Sequence, residues 1–239
     1  MSFTFRCLDA AADAPLLHSW VTRPYASFWG MLSSTVQDVV EEYSTIQSSG
    51  HHHALLGLDD GVPAFLMEEY LPGSSPLAAV YAVQSGDIGM HLLVAPPSGV
   101  MARLMPGAVP GAVAGAMPGA GPEFPAEAAA GGVRPGFTTA VMEAVLDRLF
   151  QKPCVERVVV EPGARNSKIH ALNERLGFQP AGVVTLPDKE ALLSFCTRAD
   201  FHAARSAISQ SPSSQFPIPQ APTHESPTPR ERHYDHHRP

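Results

Sequence analysis

His91 is the residue of this chain best suited to proton transfer, because it lies inside an otherwise apolar segment, GMHLLV. Glu68, Tyr70 and Asp87 lie in or beside neighbouring apolar segments. Histidine acts as a general acid or base near neutral pH, and carboxylates in a pocket would suit a cationic or polar amine. The competing interpretation is a structural histidine with solvated carboxylates at strand ends. The residues alone leave both interpretations open.

The histidines and cysteines of the chain are candidate metal ligands. Histidines form a run at 51–53 and recur in HYDHHRP near the C-terminus. We interpret the first run as structural and the second as a tract that binds metal only loosely. Cys7, Cys154 and Cys196 are too widely spaced for paired zinc ligands, and they indicate buried thiols in a reducing compartment rather than disulfides. We therefore expect no metal cofactor.

The overall composition limits the class of partner. The 239 residues include 23 acidic and 16 basic side chains, which gives a net charge of −7 at pH 7 and argues against nucleic acid as the main partner. No run of about 18 apolar residues is free of Gly and Pro, so we expect no membrane span. The N-terminus lacks the pattern of a secretory signal. These features predict a cytoplasmic protein, and they specify no oligomeric state.

Two segments differ in composition from the rest. In residues 99–135, 24 of the 37 residues are Gly, Ala or Pro, which leaves too few large side chains to bury a core. Residues 206–239 are rich in Pro and have no apolar periodicity. We predict a single domain at 1–205 that contains a flexible insertion at 99–135, followed by a disordered tail at 206–239.

Hydrophobic periodicity divides the domain into helices and strands. Helices are predicted at 33–47, 138–150 and 166–176, the last ended by Gly177. Strands are predicted at 53–58, 62–69, 77–84, 86–94, 155–161, 183–186 and 191–197. The turn Asp59-Asp60-Gly61 joins the first two strands as a hairpin. This order predicts an α+β domain with one mixed, mostly antiparallel sheet flanked by helices.

Several sequence blocks together resemble the GNAT acyl-CoA N-acyltransferases, and within them the branch that serves siderophore biosynthesis. The blocks are HSW (18–20), RPYASFWGM (23–31), HHHALLGLDDGVPAFLMEEYLP (51–72), GDIGMHLLVAPP (86–97), GFTTAVMEAVLDRLF (136–150), RVVVEP and RN within 157–166, and LPDKEALLSFCTR (186–198). Members of this branch acylate N-hydroxylated lysine, cadaverine or related amines, or the lysine arm of mycobactin. The resemblance covers residues 1–202 outside the insertion. It implies a GNAT fold, acyl-CoA as co-substrate and a small-molecule amine or hydroxylamine as acceptor.

The resemblance also implies roles for individual residues. His91 is expected to face the acceptor amine, in a pocket that Glu68, Tyr70 and Asp87 also line. Trp29 either walls this pocket or belongs to the core, to which we assign Phe28. The backbone of the splayed strand and the start of the following helix would bind acyl-CoA, because free N–H groups and a helix N-terminus suit the thioester and the pyrophosphate. The residues expected to do so are Leu92, Leu93, Val94, Gly136, Phe137, Thr138 and Asn166.

Two departures from the family pattern concern proton transfer. The branch usually reads E-P-D-x-R-N, whereas this chain reads EPGARN from Glu161 to Asn166, so Gly163 replaces an aspartate that is offered as general base. Asn173 stands where many GNAT enzymes have a tyrosine acid. His91 or Glu161 is therefore expected to be catalytic. A lysine amine must lose a proton at pH 7, which costs about 4–5 kcal/mol, whereas an alkylhydroxylamine is already neutral and suits a site without the aspartate.

Two other functions stay open from the sequence. One is an aminoglycoside-type N-acetyltransferase, because these enzymes share the HLL and RN blocks, although the FWGM and LLSFC blocks favour the siderophore branch. The other is a degenerate GNAT domain that binds CoA or a partner without turnover. The glycine at position 163 and the insertion favour this last alternative.

Overall fold

A computed structural model describes residues 2–96 and 135–210. Within these ranges seven strands form one sheet in the order β1-β2-β3-β4-β5-β7-β6. Neighbouring strands are antiparallel except β4 and β5, which are parallel. The strands are β1 (Phe3–Cys7), β2 (His52–Asp59), β3 (Val62–Tyr70), β4 (Asp87–Val94), β5 (Arg157–Val160), β6 (Gln179–Thr185) and β7 (Glu190–Thr197). The predicted mixed, mostly antiparallel sheet is confirmed.

Five α-helices accompany the sheet in the described ranges: α1 (Ala10–Val21), α2 (Val36–Ser48), α3 (Phe137–Phe150), α4 (Ser167–Arg175) and α5 (Arg198–Gln210). The start of α2 is set by a capping box, in which Thr35 and Asp38 bond each other's backbone N–H groups. The length and polarity of each of these helices rule it out as a membrane span.

The sheet buries apolar side chains on both faces, because successive residues of a strand point to opposite sides. On β3, Phe65 and Met67 belong to a core with Val145 of α3. Leu66, between them, belongs to a second core with Trp20 of α1. The sheet is thus held between α3 on one face and α1 and α2 on the other.

The parallel pair β4 and β5 separates partway along its length. The two strands pair only from Asp87 opposite Arg157 to Gly89 opposite Val159, whereas β4 stays paired with β3 as far as Val94. Beyond Gly89, the edge of β4 that faces β5 therefore has no strand partner among the described residues. The result is an opening in the middle of the sheet, and it positions the site described below.

The segment predicted as a strand at 77–84 is not a strand. It begins in a 3-10 turn, Pro76–Ala79, in which Ser75 accepts a hydrogen bond from the N–H of Leu77. Pro76 favours such a helical start, and both edges of β4 at this end are already occupied by β3 and β5. A second 3-10 turn, Pro72–Ser74, precedes it.

Other elements were missed or misplaced by periodicity. β1 and α1 were not predicted, and α1 carries an internal proline, Pro15. The helix α5 continues through Gln210, so the predicted tail does not begin at 206. The insertion predicted at 99–135, apart from Pro135, and the rest of the tail lie outside the described residues.

Candidate active site

His91 joins two buried carboxylates across the opening between β4 and β5. Its Nδ1 lies 2.9 Å from Glu68 Oε2, and its Nε2 lies 2.7 Å from Glu161 Oε1. Glu68 and Glu161 are only 5% and 6% exposed. Ionised carboxylates can only accept hydrogen bonds, so both ring nitrogens donate and His91 is an imidazolium without a free lone pair.

Glu68, on β3, is fixed by residues from β2 and α2. Tyr43 OH donates to Glu68 Oε1 at 3.1 Å, and His52 Nε2 lies 3.2 Å from Glu68 Oε2. Trp29 Nε1 in turn donates to Tyr43 OH at 3.3 Å. The Trp29 ring also meets the ring of His91 edge to face, with centroids 6.2 Å apart. Aromatic rings and hydrogen bonds therefore hold this side of the cluster in place.

Glu161 directly follows β5 and is held from the opposite side. Tyr70 OH donates to Glu161 Oε2 at 2.9 Å, and its ring centroid lies 4.9 Å from that of His91. Lys189, in the turn between β6 and β7, places Nζ 3.7 Å from Glu161 Oε1. Tyr70 is buried, and burial together with the charge of Glu161 raises the pKa of its hydroxyl, so Tyr70 acts as a hydrogen-bond donor at neutral pH.

The charges in the cluster stabilise one another against the penalty of burial. Burial favours the neutral acid of Glu68, but hydrogen bonds to His52 and His91 lower its pKa to about 2. Burial acts likewise on Glu161, but the charge and hydrogen bond of His91, the charge of Lys189 and the hydrogen bond from Tyr70 together lower the pKa. Burial opposes the charged form of His91, yet the charge of Glu161 and the hydrogen bonds to both carboxylates raise its pKa to about 10. Water reaches the ring, since the side chain is 35% exposed, and screens part of this effect.

A cleft of about 380 Å³ opens onto this cluster. Part of its lining is formed by His52, Tyr70, His91 and Glu161. Its walls come from the residues before β2, the 3-10 turns before β4 and the turn between β6 and β7: His51, Leu71, Ser74, Ser75, Pro76, Leu77, Leu186, Asp188 and Lys189. A small polar molecule that enters this cleft therefore meets His91 and Glu161.

Three of the residues predicted to bind acyl-CoA lie at the opening. Leu92, Leu93 and Val94 belong to the part of β4 that has left β5. Gly136 has a left-handed backbone with φ of 78°, and the side chain of the N-cap residue itself gives α3 no capping hydrogen bond, because that residue is glycine. Uncapped N–H groups at a helix start attract phosphate, so the geometry fits the predicted role of Gly136, Phe137 and Thr138.

Two predicted site residues have other contacts. Asp87 lies outside the cleft, because Arg157 binds both of its carboxylate oxygens at 2.7 and 2.8 Å and Tyr81 OH donates to it at 3.0 Å. The interpretation that Asp87 faces the acceptor is therefore corrected: Asp87 pairs with Arg157 where β4 and β5 are still joined. Asn166 caps α4 by accepting from the N–H of Ile169 at 3.5 Å, and its predicted contact with CoA stays a prediction.

Sequence reasoning missed some contributors to the site. His52 was assigned a structural role with its neighbours, although alternation along β2 separates it from His53. The sequence gives no local signal that Tyr43 and Lys189 belong to the site, because their contacts depend on packing between distant elements. Phe28 was assigned to the core but is 56% exposed. Cys7 and Cys154, predicted as buried thiols, are exposed, whereas Cys196 is buried.

Gly163 has room for a side chain. Its φ is not in the left-handed region, and it forms a bridge with Ala191 of β7. A Cβ atom at this position would lie 3.3 Å from Cδ1 of Phe28. Phe28 precedes Trp29, whose ring contacts that of His91, so a side chain at position 163 would touch the segment that carries this ring.

Comparison with known proteins identifies the domain type. A family model described as an acetyltransferase (GNAT) domain matches residues 9–117 and 126–186. An N-hydroxyputrescine acetyltransferase of Acinetobacter baumannii is 22% identical over 201 residues, which span 84% of this chain and 80% of that protein. A kanamycin resistance protein of Rhizobium radiobacter is 32% identical over 79 residues, which span 33% of this chain and 73% of that protein.

Solved structures agree with the fold. An uncharacterized protein from Bacillus halodurans superposes with a TM-score of 0.65 at 25% identity, over 85% of this chain and 88% of that one. The aminoglycoside acetyltransferase AAC(6')-Ib in complex with coenzyme A gives a TM-score of 0.62 at 22% identity, over 85% of this chain and 99% of that one.

Proposed function

We propose an acceptor on the premise that the chain belongs to the GNAT acetyltransferase family and transfers an acyl group from acyl-CoA to an amine. The proposed acceptor is an N-hydroxylated lysine- or diamine-type amine of hydroxamate siderophore biosynthesis. The similarity to an N-hydroxyputrescine acetyltransferase over most of both chains supports this acceptor class. The site itself supplies an independent chemical argument.

The observation that carries the proposal is the position of His91 between two carboxylates. Both of its nitrogens donate hydrogen bonds, so the imidazole offers no lone pair for an incoming ammonium proton. Glu68 and Glu161 have lowered pKa values and are poor acceptors for a proton held by a lysine-type amine. Because Gly163 supplies no carboxylate either, the part of the site that the structure describes has no strong base at neutral pH. An acceptor that arrives with its nitrogen already neutral avoids this need.

Acyl transfer to such an acceptor needs only weak bases. The neutral nitrogen attacks the thioester carbonyl, the C–N bond forms, the C–S bond breaks and the CoA sulfur leaves. Attack makes the nitrogen acidic, so its proton can pass to Glu161, which Tyr70 and His91 hold in position. That proton then neutralises the CoA thiolate directly or through water. The products are a hydroxamate and free CoA, and the cluster returns to its starting charge.

The second candidate acceptor is an aminoglycoside. The 32% identity with a kanamycin resistance protein supports it, although over a third of this chain only. The carboxylates of Glu161 and Asp188 in the cleft also suit a polycationic drug. Aminoglycosides present amines of a basic kind rather than hydroxylamines, so the two acceptors make different demands on the site.

A panel of acceptors separates these functions. The purified full-length protein is mixed with acetyl-CoA, succinyl-CoA or a longer acyl-CoA, and with N-hydroxyputrescine, N-hydroxycadaverine, N6-hydroxylysine, their parent amines or kanamycin. Release of CoA thiol and the colour of the ferric hydroxamate report turnover. The proposal expects the hydroxylated compounds to be preferred over their parents. Preferred turnover of kanamycin would establish the second candidate instead, and CoA binding without any turnover would establish a degenerate domain.

A further inference from the structure

The turn between β6 and β7 brings two opposite charges into the cleft. Its backbone is closed by a hydrogen bond from the N–H of Leu186 to the carbonyl of Lys189 at 2.8 Å. Leu186 is buried in the apolar cluster that also contains Tyr70 and Leu77. The turn is thereby anchored beside two residues that also line the cleft, and Asp188 and Lys189 line the cleft as well.

Both charged groups keep their capacity to bind a ligand. Lys189 Nζ lies 3.7 Å from Glu161 Oε1, which is beyond hydrogen-bond distance, and that oxygen already accepts from His91 at 2.7 Å. Among the described residues, neither Lys189 Nζ nor the Asp188 carboxylate forms a hydrogen bond, and Asp188 forms no ion pair. Lysine has a long flexible stem with three donors, so its ammonium can leave Glu161 for a carboxylate brought by a substrate.

We infer that Asp188 and Lys189 recognise the far end of the acceptor, and that this end is an α-amino acid group. An inference of this kind rests on the proposed function, because it names the acceptor within that class. The ammonium of an amino acid would face Asp188, and its carboxylate would face Lys189. A diamine offers only an ammonium, so Lys189 would gain no partner beyond Glu161 and would lie near a like charge. The geometry therefore favours N6-hydroxylysine-type acceptors over N-hydroxydiamines.

Two acceptors that differ by one carboxylate test this inference. N6-hydroxylysine carries an α-carboxylate that N-hydroxycadaverine lacks. For the wild-type protein we expect a lower KM for N6-hydroxylysine. In Lys189→Met, KM for N6-hydroxylysine should rise about 10- to 100-fold, the range for the loss of a charge-assisted hydrogen bond, while KM for N-hydroxycadaverine stays unchanged or falls. Lys189→Arg should keep the preference.

Two further variants serve as matched tests of charge. Asp188→Asn should raise KM for both acceptors, since both carry the distal ammonium. Asp60→Asn, in the turn between β2 and β3, removes a charge away from the cleft and should alter neither KM. The effects on recognition should appear in KM, whereas loss of the Lys189 charge 3.7 Å from Glu161 should change kcat for both acceptors by the same factor, because the reacting nitrogen meets the same Glu161 in each.

The inference is overturned if Lys189→Met changes KM for both acceptors by the same factor, or if the wild-type protein prefers N-hydroxycadaverine. Failure of the proposed function gives a different result, namely no turnover of either compound. Calorimetric titration of both compounds into the wild-type protein and Lys189→Met then measures the same preference as binding. Equal affinities of the wild-type protein for the two compounds would overturn the inference without reference to catalysis.

Discussion

Substitution of Gly163 by aspartate restores a carboxylate two residues after Glu161. The backbone at Gly163 is outside the left-handed region, so aspartate needs no strained conformation there. Its Cβ would lie 3.3 Å from Cδ1 of Phe28, and this ring is 56% exposed and can move by the few tenths of an ångström required. We therefore expect Gly163→Asp to fold, with a loss in the free energy of unfolding of about 1 kcal/mol, the typical cost of a single substitution.

The gain in activity should depend on the acceptor. A lysine-type amine must be deprotonated at a cost of about 4–5 kcal/mol at pH 7, whereas a hydroxylamine is not. A positioned general base contributes about 10²- to 10⁴-fold. We expect the new carboxylate to raise kcat/KM for lysine by about 10²-fold, the lower end of this range, and to change kcat/KM for N6-hydroxylysine little. The start of α4 nearby favours its ionised form.

Steady-state release of CoA thiol at pH 7 measures both values on the same protein preparation. Gly163→Asn is the matched control, because it has the same size without the negative charge. The reasoning is refuted if the folded Gly163→Asp variant raises turnover of lysine no more than turnover of N6-hydroxylysine. It is equally refuted if Gly163→Asn gives the same gain, since the effect would then be one of shape.

Other predictions follow from the same contacts. Tyr70→Phe removes a hydrogen-bond donor that lowers the pKa of Glu161. Activity that needs ionised Glu161 is lost as pH falls through this pKa, so the acid limb of the kcat/KM profile should move to higher pH in the variant. An unmoved acid limb would contradict the role of Glu161. The pKa of His91 is raised from 6.5 to about 10, so its contribution to stability is present below pH 6.5 and is lost as pH rises through 10. The melting temperature should therefore fall more steeply between pH 7 and 10 in the wild-type protein than in His91→Gln. Parallel curves for the two proteins would contradict a charged His91. Deletion of residues 101–132 should leave the melting temperature nearly unchanged, because loop-closure free energy varies by only about 0.6 kcal/mol per doubling of length, and loss of folded protein would show that the segment contributes to the core.

The elements that the sequence predicted are those with a strong local signal. The hairpin of β2 and β3 has both alternation and a turn sequence, α3 has an apolar stripe, and α4 ends at Gly177. The prediction of a strand at 77–84 was wrong because apolar composition alone does not distinguish a strand from 3-10 turns. The prolines before this segment favour the turns. The sequence did not predict α1, and its internal proline weakens the local signal for a helix. The helix tolerates Pro15 because this residue lies within its first two turns.

The site was predictable only where one segment carries the information. His91 is the one polar side chain between the apolar neighbours Met90 and Leu92 in β4. Glu161 is the carboxylate left in the segment EPGARN, where Gly163 replaces the aspartate of the family pattern. The partner of Asp87 depends on the register between β4 and β5, which places Arg157 opposite it and takes it out of the acceptor cleft. The roles of Tyr43 and Lys189 likewise require the packing of α2 and of the last hairpin against the centre of the sheet.

The pH dependence of kcat/KM for N-hydroxyputrescine and putrescine tests most directly whether the acceptor must enter as a neutral nitrogen. The two compounds share the distal ammonium and differ at the reacting nitrogen. Between pH 7 and 9 we expect kcat/KM for putrescine to rise about tenfold per pH unit, as the neutral fraction of an amine with a pKa near 10 does, while the value for N-hydroxyputrescine stays nearly flat. A flat profile for putrescine, at a kcat/KM comparable to that of N-hydroxyputrescine at pH 7, would show that the site has an effective base and would contradict this account.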